Sequence, residues 1–195
     1  CDKLHIIRLP SIFGNNLKKN FLFDLLNPMP SFLKEERLML TLDLMRGLER
    51  DFLVRCFGKK NLDGFYHLDR YVYNQSSHKR DIESKLYEGQ LASIFFHSHK
   101  SSYQFYSLTN LWDDICFIIK NDLELVHLAP PPLHVSQIHT LIYNRPMPES
   151  RAKIHHEDLR TNYSSLWSSS LPYIQTEESI LAEIKNFAKS YAYLT

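Results

Sequence analysis

The sequence predicts an α/β fold that forms the closing units of an open sheet. Short apolar strand patterns alternate with helical ones, in the order strand–helix, a long intervening stretch, then strand–helix–strand–helix. That alternation is the mark of α/β architecture. The composition agrees with a packed globule. The 195 residues are 44% hydrophobic and 13% aromatic, which is too much apolar surface for a chain that stays unfolded in water.

The elements follow in order. Leu4–Leu9 is an apolar run with strand character. Pro10 ends its ladder, and Gly14-Asn15-Asn16 is a turn. Leu17, Phe21 and Leu25 recur at helical spacing until Asn27-Pro28 stops them. Leu38, Leu42 and Met45 predict a second helix over 34–48. Residues 52–90 are the least regular part, with strand or helix open for Phe52-Leu53-Val54 and Phe65-Tyr66, and weak helical character over 81–91. Leu91–Phe96 and Tyr103–Leu108 are strand candidates that could form a hairpin across the polar turn 97–102. Leu108, Leu111, Trp112, Ile115, Cys116 and Ile119 form an apolar stripe, read as the core-facing side of a helix with Thr109 as its cap and Asp113 and Asp114 outside. Leu123–Ala129 is a short strand. Val135, Ile138, Leu141 and Ile142 mark a helix expected to be capped at Ser136. Lys153–His155 is extended, and 162–167 is a helical turn. Thr176 caps a last helix whose buried side carries Ile180, Leu181, Ile184, Phe187, Ala188 and Tyr191, with Glu177 and Glu178 well placed in its first turn.

Charge and motifs exclude several classes. Lys plus Arg number 23 against 22 acidic residues, a net charge of +1, so no nucleic-acid partner is expected. No apolar run is long enough to span a membrane. Cys1, Cys56 and Cys116 are odd in number and widely spaced, which suits free thiols in a reducing, cytoplasmic setting. The five glycines form neither GxGxxG nor GxxxxGK[ST], so neither phosphate cradle can be built from them. His97-x-His99 and His155-His156 lack further ligands at reliable spacing, and no metal is expected. There is no GxSxG elbow. The chain opens without Met and enters a strand at once, and it is expected to be the C-terminal piece of a longer protein.

Arg8-Leu9-Pro10-Ser11-Ile12-Phe13-Gly14 resembles the R-x-x-N-V-Y-G signature of the extended short-chain dehydrogenase/reductase family, the NAD(P)-dependent epimerases and dehydratases of nucleotide sugars. The run Leu17–Leu26 resembles an epimerase/dehydratase-like branch of it. Phe105-Tyr106-Ser107-Leu108-Thr109-Asn110-Leu111 is similar to the family's D-[FY]-x-x-V-x-D-[LV] segment. Val126-His127-Leu128-Ala129, Val135-Ser136-Gln137-Ile138 and the tail 161–191 resemble its closing strand, helix and segment. In this sequence Ser11 stands for the family's Asn, Asn110 for its Asp, and Tyr103 where an Arg often meets the diphosphate.

The resemblance implies the closing half of a Rossmann-like doubly wound sheet plus an irregular substrate-binding region. Residues 1–195 would be a single unit. Within it, 1–29 and 103–143 would supply the closing strands and helices, and 30–102 and 144–195 the substrate side or lid. It implies a C-terminal fragment of an NAD(P)-dependent oxidoreductase acting on a sugar or nucleotide sugar. The family's Gly-rich turn and its Tyr-x-x-x-Lys acid/base pair are absent from the 195 residues, so no catalytic residue is assigned and no activity of the chain alone is expected. Leu9, Pro10 and Ser11 are the implied wall beside the nicotinamide, consistent with ligands sitting at the carboxyl ends of sheet strands. Lys18, Asn20 and Tyr103 are the implied substrate contacts. NAD or NADP is the implied cofactor of the parent, not expected to bind tightly to this chain alone, and a homodimer of the parent is a possible assembly. The alternative reading is a non-catalytic binding or scaffold module that retains part of the fold.

Overall fold

The computed structural model describes residues 3–169 and 172–192, so Cys1 lies outside the described residues. It is an α/β protein with small parallel and antiparallel sheets. Among the described residues the chain divides into two compact units. Phe23–His97 is one, and the segments before and after it together make the other.

The flanking segments hold the parallel pairs. Strand β1 (Ile6–Arg8) runs parallel to a strand that arrives much later, Leu125–His127, with Ile6 opposite Leu125 and Arg8 opposite His127. Leu9 and Pro10 then interrupt the chain. Strand β2 (Ser11–Phe13) changes neighbour and runs parallel to Phe105–Ser107. Proline lacks the N–H a ladder needs, so the change of partner falls where the ladder must break anyway. Gly14 closes this stretch at a point of close approach. A Cβ there would meet the Leu108 Cβ at 3.1 Å.

The helix α1 (Phe21–Leu26) is shorter than the periodicity from Leu17 predicts. It carries the chain into the second unit. There β3 (Phe32–Leu33) pairs antiparallel with β4 (Tyr66–His67). The single helix expected over 34–48 is two: α2 (Glu35–Asp43) and α3 (Leu48–Phe57). Gly47 separates them with a φ of 52°, a backbone state that glycine adopts without steric cost. Helices α4 (Arg70–Asn74) and α5 (Lys79–Glu88) follow, and Asp69 caps α4 by accepting from the Val72 amide at 3.0 Å. The stretch read as irregular is therefore largely helical. Its buried side chains include Leu53, Tyr73, Ile82 and Leu86.

The hairpin expected from 91–96 and 103–108 does not form. Ser93–Phe96 is a 3-10 turn held by the Ser93 amide donating to the Pro28 carbonyl at 2.8 Å. Consecutive burial of Leu91, Ala92, Ser93 and Ile94 is incompatible with the alternation of a half-buried strand. The second candidate splits at Gln104. Strand β5 (Ser102–Tyr103) pairs antiparallel with a later strand, Leu133–His134, while β6 (Phe105–Ser107) joins β2.

Helix α6 (Leu111–Lys120) is rotated from the expected face, keeping only part of the expected stripe inward. Ile118 is fully buried and Leu111 and Ile115 are half-buried, whereas Trp112, Cys116 and Ile119 are exposed. Asp114, expected outside, faces inward. Its carboxylate accepts from the Tyr106 hydroxyl at 2.5 Å and from the Trp167 indole at 2.8 Å. Two strong donors on one carboxylate offset its desolvation and fix the rotation of the helix. Thr109 does not cap α6; the position before the helix is Asn110, with no side-chain cap. Strand β7 (Leu125–His127) and β8 (Leu133–His134) lead to α7 (Val135–Tyr143), which begins before Ser136 and so leaves that residue inside the helix. Helix α8 (Glu177–Ala192) is placed as expected, with Thr176 accepting from the Ser179 amide and Ile180, Ile184 and Ala188 buried. An apolar cluster in this unit is formed by Tyr106, Ile118, Leu123, Val126, Leu128 and Ile174.

Candidate functional site

The break between β1 and β2 places Pro10 and Ser11 at the carboxyl end of a parallel strand, where α/β proteins open their ligand crevices. A groove of about 480 Å³ lies there. Pro10 and Ser11 form one wall; Gln104, Glu157, Asp158 and Leu159 form the rest.

Gln104 holds the two walls in register. It is fully buried between β5 and β6. Its Nε2 donates to the Pro130 carbonyl at 2.6 Å and the Leu159 carbonyl at 2.7 Å, and its Oε1 accepts from the Leu159 amide at 2.6 Å. Its own amide donates to Glu157 Oε2 at 3.0 Å. Strand β5 extends the same attachment. The Ser102 amide donates to the His155 carbonyl at 2.9 Å, and the Glu157 amide to the Ser102 carbonyl at 3.1 Å. The Ser102 hydroxyl is 2.9 Å from His156 Nδ1. The segment 155–159 is thus laced to the strand edge although only one formal bridge, Ser102 with His156, is present.

The groove's charge is negative. Asp158 accepts from Arg160 at 2.6 Å and from the Tyr173 hydroxyl at 2.6 Å. The Arg160 guanidinium, with Tyr173 next, holds the Asp158 carboxyl below its ordinary range. Burial and the Asp158 carboxylate push the Tyr173 phenol up. No lysine or arginine stands among the groove's lining residues.

The expected residues divide. Pro10 and Ser11 line the groove. Leu9 instead packs against the apolar cluster around Tyr106 and Ile118. Lys18 is exposed in the loop before α1. Asn20 donates to the Ile12 carbonyl at 2.8 Å and so ties that loop to β2. Tyr103 is half-buried, its ring 6.0 Å from Phe21 and 6.3 Å from Phe105. Lys18, Asn20 and Tyr103 are not among the lining residues. The expectation of Cys116 as a core thiol is overturned, since it is exposed on α6; Cys56 is the buried one, its thiol pushed up to about 11 by burial and the nearby Asp69.

Sequence reading passed over Gln104, Glu157 and Asp158. Gln104 carried a signal. A primary amide inside the aromatic run Tyr103–Tyr106 must be fully hydrogen-bonded if that run is buried. Glu157 and Asp158 carried none, because their partners lie far away in sequence.

A second groove of about 610 Å³ opens where β2 and β6 end, with Gly14, Ser107, Thr109 and Glu183 among its lining. In the other unit, the buried Asp24 carboxylate lies 2.9 Å from His97 Nε2, and Arg70 donates to Asn27, Met29 and Ser31. Among the described residues no group of three or more His, Cys, Asp or Glu side chains is arranged to hold a metal ion. No helix among them is long and apolar enough to cross a membrane.

No family model matches the chain, and no curated protein or solved structure matches it significantly.

Proposed function

We propose that this chain forms part of an NAD(P)-dependent oxidoreductase of the epimerase/dehydratase type, acting on a sugar or nucleotide sugar. The observation that carries the reading is the interrupted strand 6–13, whose two halves take different parallel neighbours and leave Pro10 and Ser11 in a groove at the crossover. Parallel strands that exchange neighbours beside a crevice support the closing half of a Rossmann-like sheet.

The lining fits one end of such a cofactor. Oxidised nicotinamide carries a positive ring, and the carboxylates of Glu157 and Asp158 are electrostatically compatible with it. The diphosphate would have to lie elsewhere, because the groove's lining supplies no cation. When bound, the nicotinamide supplies a hydride acceptor. This chain's own residues position it. Ser11 presents a hydroxyl, Pro10 an apolar face, and Gln104 keeps the opposite wall fixed so that little ordering is left for binding to impose. The proton-transfer pair is assigned to residues outside these 195. A non-catalytic binding module, the second reading, is favoured by one observation: hydrogen bonds engage both groove carboxylates, Asp158 with Arg160 and Tyr173 and Glu157 with the Gln104 amide.

Amide NMR shifts test the reading. Nicotinamide mononucleotide at millimolar concentration is expected to move the signals of Ser11, Gln104 and Leu159. UDP-glucose is expected to move those of Lys18, Asn20 and Tyr103. Shifts confined to other residues, or none, sink the proposal.

A further inference from the structure

The exposed side of α6 is apolar where a solvent-facing helix is ordinarily polar. Trp112 is 72% exposed and Ile119 56%, and Cys116 lies exposed between them. Positions 112, 116 and 119 recur at the i, i+4, i+7 spacing of one helix face. On one flank of that face stand Asp113 and Lys120, also exposed.

This arrangement is self-complementary. When two identical helices pack antiparallel about a two-fold axis, each position faces the one reflected through the centre of the pair. With the axis at Cys116, Trp112 of one copy comes within one residue's rise of the level of the other's Ile119, and Ile119 likewise of Trp112. Cys116 meets its own counterpart. Asp113 and Lys120 occupy the same flank, and in an antiparallel pair equal flanks face each other. Asp113 therefore comes beside the second copy's Lys120, twice over. Parallel packing would instead put the two Asp113–Lys120 flanks on opposite sides of the seam, where neither ion pair can form. We propose that α6 pairs antiparallel with α6 of a second copy of this chain, centred on Cys116. The attraction combines burial of two indoles with two exposed ion pairs, and the ion pairs choose the direction.

The test uses the 195-residue chain. Sedimentation equilibrium across a rising concentration series is expected to show monomer passing to dimer. Asp113→Lys is expected to weaken association at least tenfold, and Asp113→Lys combined with Lys120→Asp to restore it, because the double change re-forms both pairs with signs exchanged. Trp112→Glu is expected to abolish it. All these positions are exposed, and circular dichroism verifies that each variant is folded. A short bismaleimide, whose two double bonds each add one thiol without any oxidant, is expected to join two copies in a Cys1→Ser background but not when Cys116→Ser is added. A chain that stays monomeric throughout overturns the proposal. So does association that Asp113→Lys leaves unchanged, that the double swap fails to restore, or that cross-links independently of Cys116, since each places the contact on another surface.

Discussion

A neutral imidazole with one ring nitrogen unpartnered is a pH-dependent element wherever it is buried. His139 on α7 is fully buried. Its Nδ1 lies 3.1 Å from the Arg145 carbonyl, while Nε2 is buried without a partner. Burial, with the nearby Arg145 charge, holds this imidazole below its ordinary range, and the bond to the Arg145 carbonyl opposes them only partly. The folded state therefore binds a proton less readily than the unfolded state. Stability from this group is complete above the unfolded value, about pH 6.5, and falls as pH drops below it. The slope is at most about 1.4 kcal/mol per pH unit, the limit for one proton. Urea unfolding from pH 7.5 to 5 is expected to show the loss, and His139→Gln to flatten that part of the profile. An unchanged profile in the variant removes His139 as its source. Gln104 is a second buried polar side chain that shapes this unit. Its position in an aromatic run made a buried, fully bonded amide foreseeable, but not which backbone groups it would reach.

Helix α6 separates what periodicity fixes from what it leaves open. The sequence shows that 108–119 is helical and amphipathic. The expected stripe of Leu108, Leu111, Trp112, Ile115, Cys116 and Ile119 straddles two overlapping apolar arcs, one through Trp112, Cys116 and Ile119 and one that joins Leu111 and Ile115 to Ile118. Each arc carries three apolar side chains, so counting alone does not choose between them. The structure takes the second, because Asp114 on that side satisfies both Tyr106 and Trp167. A carboxylate normally marks the outer face, so this one misled by being functional in packing. The faces are distinguishable by stability at dilute concentration. Ile118→Ala is expected to cost about 2–4 kcal/mol through a core cavity, and Ile119→Ala within about 0.5 kcal/mol. The reverse ranking in chemical denaturation would restore the first arc. In the 91–108 region the first expected strand is lost and the second splits in two. The apolar content was legible, but the partners Ser11–Phe13 and Leu133–His134 could not be inferred from local alternation.

Across the whole molecule, the α/β class was legible from element order, and so were the last helix and the strand before Pro10. Within 30–97 the helices were legible only in part, as one helix over 34–48 and a weak one over 81–91, because its short helices are broken by glycines and polar turns that resemble loop sequence. Each unit has buried residues of its own: Leu53, Tyr73, Ile82 and Leu86 in one, Ile118, Val126, Leu128 and Ile174 in the other. Local stability should follow those groups. Leu53→Ala is expected to lower hydrogen-exchange protection in α3 and α5 while leaving α7 and α8 nearly unchanged. Equal loss in all four helices would show one cooperative core instead.

The pairing of Ile6 with Leu125 also sets a schedule for the chain as it is made. Some 119 residues separate the two strands, so the first emerges from the ribosome roughly 6–24 s before its neighbour exists, at about 5–20 residues per second. During that interval Phe23–His97 has time to fold, whereas Ile6–Arg8 waits with open backbone groups and apolar side chains. Nascent chains paused before Leu125 should therefore be the ones that chaperones hold.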